Sequence, residues 1–93
     1  MTALVHGQPI SLKVSDYLKE FTTREDIADV STETGVSIST LNYVKRRANN
    51  VSEGNKPGII KLIERAYKNA ESMKREASKC QKEMKSILET NLS

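Results

Sequence analysis

The chemistry this chain offers most densely is hydrogen-bond donation. Between Thr34 and Arg47 the sequence TGVSISTLNYVKRR sets Ser37, Ser39, Thr40, Asn42 and Tyr43 among Ile38, Leu41 and Val44, and closes on Lys45, Arg46 and Arg47. Hydroxyls, an amide and cations in this mixture are groups that bind a polar surface. The acids add little toward catalysis. Asp16, Glu20, Glu25 and Asp26 are the dense carboxylates, and no paired histidine, glycine-rich phosphate loop or metal-ligand spacing accompanies them. His6 is the only histidine and Cys80 the only cysteine, which excludes an internal disulfide and a cysteine-built zinc site. His6, beside Gly7, reads as a turn residue, and Cys80, at a helical core spacing, as a small apolar filler. No catalytic residue, metal, cofactor or small-molecule ligand is expected.

Presenting that stretch on a surface requires helices around it, and the apolar spacing supplies them. Val14, Leu18 and Phe21 stand at i, i+4 and i+7, with Leu12 and Tyr17 at the edges, a first helix capped by Ser11 or Ser15. Thr22 with Glu25, or Thr23 with Asp26, has the spacing of a capping box or its aspartate variant and opens a second helix. Its inward face would be Ile27, Val30, Ser31 and Thr34, ending at Gly35 in a left-handed turn, with Val36 plugging the core. Ser37 is a natural N-cap for a third helix running to Asn49, inward at Leu41, Val44 and Ala48. Its outward residues are Ser39, Thr40, Asn42, Tyr43, Lys45, Arg46 and Arg47.

The remainder divides at turn-formers. MTALVHGQPI, residues 1–10, shows no helical period and reads as an arm, a short hairpin or disorder. NVSEGNKPG is a linker with Val51 as a core anchor and Ser52 or Asn55 as a cap. Beyond Pro57-Gly58 neither residue type recurs, so a single long helix over 57–91 is expected. Along it Ile59, Ile63, Ala66, Ala70, Met73, Ala77, Cys80, Met84 and Ile87 alternate spacings of four and three, a 3.5-residue repeat that an isolated surface helix has no reason to keep. Residues 59 to 67, with Leu62 and Tyr67, would complete the core. Met73, Ala77, Cys80, Met84 and Ile87 would form the seam of a homodimer, thin where alanines fall, and the flanking charges do not fix its direction.

Composition agrees with an all-α chain. Its 93 residues make one small domain, short of surface to bury alone, with 37% hydrophobic and 29% charged residues. The net charge of +3 is unevenly placed: residues 1–21 and 22–56 balance, while 57–93 carry eight basic against five acidic residues. No run approaches the roughly 18 apolar residues of a membrane span, and Met1 is not followed by a basic and then apolar leader. A cytoplasmic protein with no membrane partner is expected.

The pattern of Val30, Ser31, Gly35, Val36, Ser37, Thr40, Leu41 and Val44 resembles the helix-turn-helix of lac-repressor-like and phage-repressor-like DNA-binding domains, and TGVSISTLNY is similar to mercury-resistance-type regulators. NNVSEG followed by Ile59, Ile60 and Ala66 resembles the lac-repressor headpiece, so the likeness covers roughly residues 22–68. A small Ser31 lets two helices approach, Gly35 takes the turn, and Val36, Leu41 and Val44 lock the crossing. The resemblance implies a helix-turn-helix bundle over 11–56 and a non-enzymatic, sequence-specific binder of double-stranded DNA. Such a protein would be a small transcriptional regulator or an accessory factor of a mobile element or phage. Base reading would fall on Ile38, Ser39, Asn42 and Tyr43, and phosphate contacts on Ser37, Thr40 and Lys45 to Arg47.

Two features oppose that reading. Glu25, Asp26, Asp29 and Glu33 on the second helix would repel phosphates unless turned away, and the net charge is low for a nucleic-acid binder. The alternative is a protein-interaction or assembly module using the heptad helix, with the helix-turn-helix only a scaffold.

Overall fold

The computed structural model describes residues 4–92, so the first three residues of the expected arm lie outside the described part. The fold is all-helical: α1 (Leu12–Phe21), α2 (Arg24–Thr34), α3 (Ile38–Lys45) and the long α4 (Lys56–Leu92). No helix among the described residues is long and apolar enough to cross a membrane.

Local chemistry sets each boundary. Ser11 caps α1 by accepting from the Val14 N–H at 3.1 Å. At α2 the structure selects Thr23 with Asp26: Asp26 N–H donates to the Thr23 hydroxyl, and Thr23 N–H donates to the Asp26 carboxylate at 2.8 Å. Gly35, at φ 77°, closes α2 in the left-handed region that costs glycine nothing. Ser37 then caps α3 through Thr40 N–H. Before α4, Ser52 and Asn55 exchange reciprocal side-chain bonds to each other's N–H, so both residues offered as caps take part. Pro57 sits in the first turn of α4, where its missing N–H leaves no helical bond unmade.

The core gathers Leu18, Ile27, Val30, Val36, Leu41, Val44, Val51, Ile59, Leu62 and Ala66, with Ile10 from the N-terminal segment. That segment is docked: His6 bridges Val51, Gly7 N–H donates to Val51 O, Val51 N–H donates to Gln8 O, and Ile10 is 2% exposed. The inward faces are narrower than the spacing suggests. Ser31 and Thr34 are half-buried, and Leu12 and Tyr17 point to solvent at the rim of α1.

The third helix is shorter than Ser37 to Asn49. It ends at Lys45 with Arg46 as C-cap, and Arg47 takes φ 62°. Arg47 N–H donates to Val44 O and Ala48 N–H to Tyr43 O, the paired bonds of a Schellman motif with arginine where glycine is usual. The reversal turns Ala48 out of the core, so its expected inward place is lost and it is exposed.

α4 has two halves. Ile59, Leu62 and Ala66 are buried against the other helices, whereas Tyr67 is 67% exposed and does not join the core. From Glu71 to Leu92 every residue is exposed, which stretches the molecule to 61 × 27 × 18 Å. Cys80 lies in this exposed half, so within one chain it fills no core. The heptad residues have nothing to pack on here because the three short helices all end below Glu71.

Candidate nucleic-acid interface

Two contacts fix α3 on its support. The Ser15 hydroxyl, fully buried, donates to the Lys45 carbonyl at 2.6 Å and ties the end of α3 to α1. Gly58 lets α4 pass so close that a β-carbon there would lie 2.9 Å from Val36 and Leu41 side-chain atoms. Leu41 and Val44 face inward, and α3 turns its other side to solvent.

That outer face carries Ser37, Ile38, Ser39 and Tyr43 exposed, with Thr40 and Asn42 half-buried. Ser37 and Thr40 hydroxyls bond each other at 2.8 Å. The side chains of Ser39 and Asn42 make no hydrogen bond to any described residue, which leaves their donors and acceptors open. Beside the N-terminus of α3, Ser37 and Thr40 share an open cleft with His6, Val36, Asn50 and Val51.

The basic triplet does not act as one unit. Arg46 stacks over the Tyr43 ring, its guanidinium carbon 5.1 Å from the centroid, and holds its charge on the outer face. Arg47 bends back, its Nε donating to Ile10 O at 2.8 Å. Lys45 is half-buried; burial pushes its ammonium below the usual lysine range, with Asp26 opposing and Lys19 adding to the fall. Arg46 is therefore the cation of the three that combines exposure with a place beside Asn42 and Tyr43.

The acids of α2 turn toward α4. Arg65 Nη1 lies 3.1 Å from Asp26 and 3.4 Å from Asp29, and its Nη2 lies 3.7 Å from Glu33. Positions 26, 29 and 33 share one helical face, so a single guanidinium gathers three of the four carboxylates. Asn69 completes the cluster, its amide donating to Asp26 at 3.0 Å and to Phe21 O at 2.8 Å. Burial acts to raise the Asp26 carboxyl, but the bonds from Thr23 and Asn69 and the charge of Arg65 outweigh it and hold the group below its ordinary value.

Sequence reasoning missed Arg65 and Asn69, and offered Ser15 as a helix cap where it instead ties α1 to the end of α3. Ser15 has a signal, since it stands between Val14 and Leu18 on the apolar side of its helix. Arg65 and Asn69 have none, because their partners lie 32 or more residues away.

Among the described residues no group of three or more His, Cys, Asp or Glu side chains is arranged to hold a metal ion. No protein family, curated protein or solved structure matches the chain.

Proposed function

We propose that this chain is a non-enzymatic, sequence-specific DNA-binding protein that inserts α3 in the major groove and acts as a small transcriptional regulator or accessory factor of a mobile element or phage. The observation that carries the reading is the outer face of α3. An unbonded Asn42 and Ser39 stand beside an exposed Tyr43 and Arg46, while Arg65 draws Asp26, Asp29 and Glu33 toward α4. An asparagine amide pairs with an adenine edge and an arginine with guanine or phosphate. Ser37 and Thr40, at the start of α3, suit phosphate. A homodimer would present two copies of α3 to half-sites separated by a helical turn of about 34 Å or a multiple of it.

Fluorescence anisotropy of a labelled mixed-sequence duplex, titrated at several salt concentrations, tests this. The logarithm of affinity should fall steeply with the logarithm of salt as phosphate counterions are released. In a selected site, Asn42→Ala and Arg46→Ala should each weaken binding by about 1–3 kcal/mol. No binding at low salt would remove the reading. The exposed apolar stripe of α4 favours a second one, an assembly module, and recovery of a protein partner without nucleic acid would support it.

A further inference from the structure

Two features of α4 have no role in a chain acting alone. Its distal half is bare, yet Met73, Met84, Ile87 and Leu88 are each more than half exposed there (55%, 56%, 61% and 57%). Most helical stability in proteins comes from packing an apolar face, and this half packs on nothing in its own chain. At its base an apolar groove of about 300 Å³ opens between α1 and α4, walled by Val14, Tyr17, Phe21, Ile63, Tyr67 and Ala70. The two features lie on one line. A 3.5-residue repeat drifts by about 20° per heptad around a straight helix, so the seam through Met84 and Cys80 leads down through Ala70 and Ala66 to Ile63 and into the groove.

We propose that a second copy of this chain covers that line, its α4 running antiparallel so that the tip of each helix fills the groove of the other. Direction follows from side-chain size. Bulk sits at the tip, in Met84, Ile87 and Leu88, while the small residues Ala66 and Ala70 sit at the base beside the groove. With the two-fold axis beside Arg75, Ala66 meets Met84, Ala70 meets Cys80, and Ala77 meets Met73 of the second copy. Ile87 then arrives at Ile63 in the groove. Every alanine layer thereby gains a larger partner, as close packing requires. A parallel pair would instead stack Ala70 on Ala70 and Ala77 on Ala77, and would leave both grooves in water.

The exposed parts of these side chains and of Tyr17 and Tyr67, once covered in two copies, sum to something on the order of 1,200 Å², the lower end of the range for specific interfaces. At the axis Lys74 meets Lys74 and Glu76 meets Glu76 on the solvated rim. Salt screens these like-charge pairs, so the association persists at high salt, unlike a contact with phosphates. The pairing stands whether or not α3 reads DNA.

Sedimentation of the full chain at tens of micromolar in 1 M NaCl should give a dimer of the 10.4 kDa chain. Ile87→Glu should return it to a monomer that keeps the helical content of the wild type, with an unfolding midpoint that no longer depends on protein concentration. Thiol pairing then reads direction. Diamide accepts two electrons and two protons as two facing thiols join in a disulfide. It should cross-link Ala70→Cys, where position 70 faces Cys80 of the other copy, and leave the wild type and the Ala70→Cys/Cys80→Ser double variant uncross-linked. A wild-type dimer joined through Cys80 would mean parallel helices and overturn the proposal. A monomer throughout would also overturn it and leave the groove to another protein.

Discussion

Replacing Gly58 by alanine sets two effects of opposite sign against each other. Alanine is favoured over glycine by about 1 kcal/mol in a helix interior, and by less in a first turn. Against this, a β-carbon at position 58 would stand 2.9 Å from Val36 Cβ, Val36 Cγ2 and Leu41 Cδ2, whereas carbons rest about 3.5–4.0 Å apart. Neither neighbour has room to yield. Val36 Cβ is attached to backbone directly after the left-handed Gly35, and Leu41 is 0% exposed. The turn and α4 must separate, and overpacking of this kind costs about 1–3 kcal/mol. Gly58→Ala should therefore lose about 1–2 kcal/mol net, a fall in Tm of roughly 5–15 °C at the 4–8 °C per kcal/mol of a small domain. Unfolding followed by circular dichroism at 222 nm, at one fixed protein concentration, measures it. Adding Val36→Ala removes Cγ2 but leaves Cβ, so recovery should be partial. A variant more stable than the wild type would show that helix propensity dominates, and the close approach of α4 to the turn would be refuted.

Arg65→Met should cost about 2–3 kcal/mol, most of it from the charge-assisted bond to the nearly buried Asp26, since Asp29 and Glu33 are exposed and each contributes about 0–1 kcal/mol. Chemical denaturation checks the stability, and the same variant should bind a duplex more weakly because three carboxylates lose their counter-charge. Asp26 gives the fold an acid limit. Its folded pKa lies below the ordinary 3.8, so its contribution is fully present above that value and is lost as pH falls through the folded pKa. A titration of the unfolding midpoint between pH 6 and 2 should show the loss, and Asp26→Asn should flatten it. Arg47→Gly relieves a left-handed arginine, worth about 1 kcal/mol, and removes a hydrogen bond to Ile10 O worth about the same. Stability should change little while amide exchange at Gly7 and Val51 quickens as the N-terminal segment loosens.

What the sequence made legible is whatever rests on local spacing. The four helices, the cap Ser37, the left-handed Gly35 and the inward Leu41 and Val44 all follow from residues within four positions of each other, whereas spacing narrows the first two caps only to Ser11 or Ser15 and Thr22 or Thr23. The end of α3 was misjudged because Ala48 fits the apolar spacing. The Schellman turn at Arg47 is held from afar, by Ile10 and by Ser15 through the Lys45 carbonyl, and no local signal announces it. The place of the acids was likewise hidden. Asp26, Asp29 and Glu33 share a face that sequence alone leaves free to point at a ligand, and only the packing of α4 brings Arg65 across them. The basic triplet shows the same limit, since three adjacent cations point to three different surroundings as soon as the helix under them stops.

The two halves of α4 differ in side-chain type as well as in burial. Its first turns use glycine and β-branched or leucine side chains to reach in among α1, α2 and α3, at Gly58, Ile59 and Leu62, which are all buried. Beyond Ala70 the spacing stays at 3.5 while the side chains change to methionine, alanine and cysteine on a charged rod, with Ile87 as the one branched residue of the repeat, at the tip. A core of fixed shape rewards branched residues with stiff rotamers, whereas methionine adapts to an irregular surface supplied by a partner. On the proposed pairing, the change in side-chain type at Ala70, where the head ends and the rod begins, marks the border between packing within the chain and packing against a second copy.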